Sequence, residues 1–364
     1  MKPYRDMTPE ERRHEYAAVK AHYDELKALD LKLDMSRGRP GRAQLDLVSD
    51  ILDVLTKEDC ISGSSDMRNY GVLAGAPDAR KLWADILGCR FEEVFVGGNA
   101  SLQLMYDLIA KAWSFGLLHS EKPWCREEGL KWLCPAPGYD RHFAITELFG
   151  IEMITVKMTS EGPDMDAVEE LIKDPKVKGM WCVPMYSNPQ GYTYSDATVR
   201  RIAALDAAAP DFRVFWDNAY CVHHLYDEPE ARDELLEVLG ACAEAGHPDL
   251  VYEFCSTSKI TFPGAGISAL AASPANIASV TKLMGAQTIG HDKINQLRHV
   301  RFLRDAAGLA AHMRKHAALL RPKFEAVLRI LEDDLGEADV AAWAKPRGGY
   351  FISFEGPQGS AKRI

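Results

Sequence analysis

No two of the eight cysteines stand at CxxC spacing, no apolar run approaches the roughly 18 residues of a membrane span, and neither a Gly-Lys-Ser/Thr loop nor a GxGxxG turn occurs in the 364 residues. These absences argue against a zinc site or disulfide frame, against membrane insertion, and against the P-loop and dinucleotide-binding classes. Positive charge is not in excess either: 43 Lys and Arg face 53 Asp and Glu, a net charge of −10 that disfavours nucleic acid and anionic membrane as partners. The opening residues, MKPYRDMTPEERRHEY, hold no apolar stretch of the kind that directs secretion, and there is no internal repeat, low-complexity tract or obvious linker. The expectation is a cytoplasmic protein with reduced, mostly buried thiols and no metal. A 47% hydrophobic content at this length suits one large domain plus a smaller one.

What is present begins with a helix signature. Thr8-Pro9-Glu10-Glu11 reads as a capping box with proline at the first helical position, and Tyr16, Val19, Tyr23, Leu26 and Leu29 continue at helical spacing to about Asp30. An irregular segment comes next, Met35-Ser36-Arg37-Gly38-Arg39-Pro40-Gly41-Arg42, too rich in Gly and Pro for regular structure. From about Asp50 to Ala272, short apolar runs at 93–97, 131–134, 153–156, 179–184, 213–216, 250–255 and 267–271 alternate with amphipathic stretches. That alternation predicts an α/β fold, doubly wound around a mostly parallel sheet, in which ligands collect beyond the carboxyl ends of the strands. Beyond about Asn295 the spacing predicts long helices, and then a last strand over 349–354.

Several of these strand ends deliver polar groups. Lys259 in YEFCSTSKITFPGAGIS comes after a buried strand and precedes a Phe-Pro-Gly turn. An ordinary lysine is a solvated ammonium, and one that carries covalent chemistry needs desolvation or a nearby cation to lower its pKa. The strand at 213–216 delivers Asp217, with Tyr220 three residues on; the aspartate is either a helix cap or the partner of a buried cation or donor. After the strand at 179–184 comes Ser187-Asn188-Pro189-Gln190-Gly191, weak evidence by itself. Gly97-Gly98-Asn99-Ala100-Ser101 opens a helix, where free N–H groups and the helix dipole favour a phosphate. Pro135-Ala136-Pro137-Gly138-Tyr139 presents an aromatic ring, with His142 three residues later.

Taken in chain order, this phosphate cradle, aromatic ring, asparagine, aspartate with tyrosine, and lysine among serines resemble the fold-type-I pyridoxal-phosphate aminotransferases over about residues 36–354. The STSKITF sequence around the lysine is similar to an aspartate-aminotransferase-like branch. The resemblance implies that Lys259 forms the Schiff base with pyridoxal 5'-phosphate and moves the proton at Cα, while Asp217 pairs with the pyridine nitrogen. Asn188 and Tyr220 match the residues that hydrogen-bond the ring oxygen, Tyr139 the one that stacks on the ring, and His142 the one that supports the aspartate. The phosphate is then expected on backbone N–H groups near Asn99, Ala100 and Ser101 with the hydroxyls of Ser256 and Ser258. Tyr70, in RNYGVLAG, resembles the tyrosine that reaches the neighbouring subunit's phosphate, which implies a homodimer with sites at its interface. Gly38, Arg39 and Asn188 are the expected substrate-binding residues. The implied domain organisation is an N-terminal helix and arm of the small domain at 1–49, a large cofactor domain at 50–295 and a partial small domain at 296–364. The implied activity moves an amino group between an amino acid, aspartate or glutamate, and a 2-oxo acid such as 2-oxoglutarate.

Two departures stand out. Many family members carry a phosphate-binding arginine shortly after the lysine, where this chain has Gly266; Arg37 or Arg39 could supply that contact. Members also continue past the GGYFISF segment to an arginine that grips the substrate α-carboxylate, whereas this chain stops at Ile364, so the expectation is a C-terminally truncated enzyme of low turnover. Other readings are a different pyridoxal-phosphate reaction, such as β-elimination, or an aminotransferase-like ligand-sensing domain. Ser256-Thr257-Ser258-Lys259 is formally the SxxK of serine acyl-transfer enzymes, but the SDN and KTG elements of that class are absent.

Overall fold

The computed structural model describes residues 3–33, 38–62 and 65–360. After a two-residue ladder of β1 (Ile61–Ser62) and β2 (Ser65–Asp66) come β3 (Val94–Val96), β4 (Lys131–Ala136), β5 (Glu152–Thr159), β6 (Gly162–Pro163), β7 (Val177–Cys182), β8 (Arg213–Asp217), β9 (Val251–Ser256) and β10 (Ser268–Ala271). The last eight form one sheet in the order β3-β10-β9-β8-β7-β4-β5-β6. Strands β5, β4, β7, β8 and β9 run parallel, while β10 is antiparallel to both β3 and β9. Each of the seven apolar runs overlaps one of these strands, so the α/β, mostly parallel reading holds.

Those runs are continuous rather than alternating because helices cover both faces of the sheet. Along β8, Val214 and Trp216 face one side and Phe215 the other; along β9, Val251 and Cys255 oppose Tyr252 and Phe254. The first face packs against Trp83 of α3 (Pro77–Leu87), Ile202 of α7 (Asp196–Ala203) and Val238 of α8 (Val238–Glu244). The second packs against Leu104 and Leu108 of α4 (Ser101–Phe115). Fully burying each such aromatic or aliphatic side chain contributes roughly 1.5–3 kcal/mol, so the strands are fixed from both sides. Their carboxyl ends are thereby rigid platforms for the loops that leave them.

Helix α1 (Pro9–Ala28) starts with the expected capping box, Thr8 accepting from Glu11 N and Glu11 accepting from Thr8 N. Its apolar stripe is not buried; Tyr16 and Tyr23 are exposed. Helices α10 (Lys293–Leu303) and α11 (Ala306–Leu335) occupy the predicted helical region, separated at Arg304, whose φ is 68°, with Asp305 capping Gly308 N. The strand predicted over 349–354 needs correction. Only Phe354–Glu355 pairs, with Ala342–Trp343. Upstream, Gly349 takes a φ of 76° and donates its N–H to His223 O, so the stretch wraps over the loop after β8 instead of joining a ladder.

Candidate active site

The loops leaving β4, β8 and β9 meet at a cavity of about 530 Å³. Tyr139, Asn188, Asp217, Tyr220 and Lys259 all line it, and so do Ala100, Ser101, Ser256 and Ser258. Gly38 and Arg39 close it from the N-terminal arm. Asn99 does not line it: the residue is exposed and its amide points toward Pro263 O at 3.5 Å, because the turn before α4 directs the side chain away. Tyr70 also lies outside this chain's cavity, 81% exposed. Arg37 falls outside the described residues.

Asp217 ends β8 and is buried. Its Oδ2 lies 3.0 Å from Nε2 of the equally buried His142, whose ring stacks on Trp181 with centroids 4.6 Å apart. The other oxygen, Oδ1, is buried without a hydrogen-bond partner. An unpaired carboxylate oxygen at that depth costs about 1–3 kcal/mol, so the site as folded calls for one more donor. Lys259 faces the same cavity, its Nζ 5.0 Å from the centroid of the Tyr220 ring. Burial pushes its ammonium below the ordinary lysine range, and Asp217 partly opposes the shift. Burial, with Asp217 adding to it, holds the Tyr220 phenol well above its usual pKa, so its hydroxyl is a donor at neutral pH.

The lysine loop is pinned from below. Thr257 O accepts from Ile260 N and Thr261 N, and Thr257 Oγ1 accepts from Ile267 N at 2.9 Å. His299 Nδ1 donates to Asn295 O at 2.8 Å, which leaves Nε2 to accept from the Thr261 hydroxyl at 2.8 Å. Beside Lys259, Ile260 O accepts from His312 Nε2 at 2.8 Å; His312 adjoins His316, which accepts from Gln44 Nε2 at 3.1 Å. Gln44 also donates to the Tyr350 hydroxyl at 2.8 Å, next to Phe351 on the cavity wall. A buried polar chain therefore ties the lysine loop to both the N-terminal arm and the 350s segment.

For the phosphate position, Ser256 Oγ donates to Ser258 Oγ at 3.0 Å, and the first turn of α4 at Ser101 has no side-chain cap, which leaves amide N–H groups for an anion. Gly266 has a packing reason. A Cβ there would lie 2.8 Å from Thr257 Oγ1 and 3.2 Å from Asn99 O, and Asn295 Nδ2 holds its carbonyl at 2.7 Å. A side chain at that turn requires Thr257 to shift, and Arg39 is the cation found on the cavity wall among the described residues other than Lys259.

The sequence reading missed Phe351, Leu102, Val183 and Ala219, which supply apolar wall. Phe351 had a usable sign in the Gly348-Gly349 pair before it. A Cβ on Gly348 would collide with the Tyr186 ring and sit 2.5 Å from His223 O, and a Cβ on Gly38 would sit 2.8 Å from the Phe351 ring. Glycines before aromatics marked a close backbone approach. The Gln44, His312 and His316 chain left no such sign, since its members lie 272 residues apart at the extremes.

Sheet order and a lysine-bearing cavity at the carboxyl edge define the architecture of a fold-type-I aminotransferase. The chain belongs to the aspartate amino-transferase family, whose sequence profile matches residues 7–364, and it is an aminotransferase of this kind. It is 50% identical over 347 residues to an aspartate aminotransferase of Corynebacterium glutamicum, covering 95% of this chain and 80% of the relative. It is 49% identical to a putative aminotransferase of Mycolicibacterium smegmatis, covering 94% and 80%. A crystal structure of an aspartate transaminase from C. glutamicum superposes with a TM-score of 0.94 at 48% identity, over 98% of this chain and 84% of that one. LysN of Thermus thermophilus, an α-aminoadipate aminotransferase solved with N-(5'-phosphopyridoxyl)-L-leucine, shares the fold at a TM-score of 0.69 and 22% identity, over 89% and 77%.

Proposed function

We propose that the cavity binds pyridoxal 5'-phosphate and that the protein exchanges an amino group between aspartate or glutamate and a 2-oxo acid such as 2-oxoglutarate. The observation that carries this reading is the pairing, at the ends of neighbouring strands, of a desolvated Lys259 with an Asp217 whose buried Oδ1 lacks a donor. A pyridinium N–H answers that demand, and a volume of about 530 Å³ suits a cofactor of this size. The choice of acidic substrates rests on the relatives named aspartate aminotransferase.

When bound, pyridoxal phosphate supplies an electron sink for the pair released at the substrate Cα. The chain's own residues do the rest. Lys259 Nζ, with its proton affinity lowered by burial, takes and returns the Cα proton. Asp217 keeps a positive charge next to its carboxylate, and His142 holds that carboxylate in place through Oδ2. Tyr220 and Asn188, which line the cavity, would donate to the ring oxygen, Tyr139 would cover the ring, and the Ser101 amide with the Ser256 and Ser258 hydroxyls would hold the phosphate. Arg39 and Gly38 face the substrate carboxylates from the arm.

In this reading residues 50–295 form the large domain, and 1–49 with 296–364 belong to the small one. Two copies associate so that the exposed Tyr70 serves the partner's phosphate site. A cytoplasmic location is in keeping with eight unpaired cysteines, and no helix among the described residues is long and apolar enough to cross a membrane.

Borohydride reduction of the purified protein, with peptide mapping of the product, tests the assignment. The expected result is a visible absorption band that disappears on reduction, with the label on Lys259. A label elsewhere, or well-loaded protein without the band, overturns it. Formation of oxaloacetate from aspartate and 2-oxoglutarate tests the substrate pair separately.

A further inference from the structure

A second cavity, of about 470 Å³, lies against the first-face side of β8 and β9. Trp216 and Glu253 are direct cross-strand neighbours there, and Asn218, the residue after Asp217, donates its Nδ2 to Glu253 Oε1 at 2.8 Å. Three polar atoms of these residues are buried without any partner: Trp216 Nε1, Asn218 Oδ1 and Glu253 Oε2. The residues themselves are 0%, 6% and 3% exposed, and all three line this one cavity. Ile86 and Leu87 at the end of α3, with Leu235 and Leu236 before α8, form apolar walls. None of this serves the amino-transfer site.

The unpartnered atoms specify a ligand. Among the described residues, Glu237, Glu234 and Asp233 line the cavity with Arg232 and His224, and Glu253 becomes a further anion once a cation binds beside it, so the ligand carries positive charge. Among the described residues no cluster of His, Cys, Asp and Glu is arranged to hold a metal, and Ile86, Leu87, Leu235 and Leu236 offer hydrocarbon to the ligand beside the polar groups, so we take the charge to be organic. With Glu253 ionised, two acceptors and one indole N–H are satisfied together by an ammonium N–H on Glu253, and by a hydroxyl that donates to Asn218 and accepts from Trp216. We propose that this cavity is a second ligand site, which takes a small amino alcohol in its ammonium form.

The carboxyl of Glu253 gives the site a distinctive readout. Burial pushes its pKa up to about 8, with Glu237 adding to the shift. The other titrating groups that interact with it are the thiols of Cys89 beyond α3 and Cys255 on its own strand, both raised by burial. At pH 7 the carboxyl is therefore mostly protonated, and a cation that binds beside it favours the ionised form. Binding should release a proton at pH 7 and release little at pH 9.

The probe is N,N-dimethylethanolamine, a tertiary amine that cannot form a Schiff base, titrated calorimetrically into the holoenzyme in two buffers of different ionisation enthalpy. The expected result is saturable binding with proton release at pH 7 and no displacement by aspartate. Glu253→Gln should weaken binding about ten-fold or more and remove the proton release, and the neutral isostere 3-methylbutan-1-ol should bind about ten-fold or more weakly. Leu236→Trp, which adds bulk to the apolar wall and leaves Glu253 in place, should abolish binding, with the melting temperature recorded to show that the variant is folded. An absence of saturable heat, equal binding to Glu253→Gln, or displacement by aspartate overturns the proposal. None of these outcomes depends on the Lys259 assignment.

Discussion

Asp217 illustrates how one side chain is asked to do two things. One oxygen is held by His142 at 3.0 Å and the other is left unpaired in the cavity, so the carboxylate is oriented before any ligand arrives. Replacing it with alanine should leave the fold intact and lower kcat by about a hundred- to a thousand-fold, the scale for losing one preorganised electrostatic partner; steady-state transamination rates measure this. Gly266 makes the opposite demand, for nothing at all. Gly266→Arg restores the residue common in the family, yet its Cβ falls 2.8 Å from Thr257 Oγ1, the acceptor that secures Ile267 N. The expected outcome is a loss of about 1–3 kcal/mol from overpacking, read as a lower midpoint in urea. An unchanged midpoint would show that the turn gives way and that glycine was not required by packing.

At the scale of elements, the site depends on how the arm and α11 are joined to the strand ends. Gln44 in α2 (Arg42–Asp46) reaches both His316 of α11 and Tyr350, and its Oε1 also accepts from Gly41 N. It is the shared fastening of the Gly38–Arg39 wall and the Phe351 wall. Gln44→Ala should cost about 1–3 kcal/mol by leaving buried partners unpaired. Because Gln44 fastens the two substrate-facing walls directly and reaches the Lys259 loop only through His316, His312 and Ile260, KM for the amino acid should rise several-fold with a smaller change in kcat; a fall in kcat at unchanged KM would contradict this division of labour. The sequence announced α11 through its apolar spacing. It did not announce which of its faces would carry histidines inward, because His312 and His316 meet Ile260 and Gln44, which lie far from α11 in sequence.

Across the whole molecule, buried neutral histidines set the acid limit. Burial lowers His223 to about 3, and His299 and His316 to about 4, from an ordinary value near 6.5. Between those values the unfolded chain binds more protons than the folded one, so stability is full at neutral pH and declines as pH falls from about 6.5 toward 4. Each of the two groups near 4 accounts for about 3 kcal/mol over that range as an order of magnitude. His316→Asn should flatten the acid limb of a melting-temperature profile; a limb of unchanged slope would place the acid sensitivity elsewhere. The strand positions, the α/β class, the α1 cap and most of the cavity residues were legible in the sequence, because apolar runs, capping boxes and strand-end polar groups are local patterns read over a few residues. Asp217, Lys259 and Ser256 belong to that local record. Tertiary structure alone decided that the 349–354 stretch wraps the loop after β8 rather than pairing, that the Asn99 side chain points toward Pro263, that Thr257 and Asn99 O crowd Gly266, and that Gln44 meets His316. It also decided that Glu253, one polar residue in an apolar strand, faces a cavity. Each of these depends on what lies across a gap in space from residues far apart in the chain, and sterics and burial at such contacts have no counterpart in local periodicity.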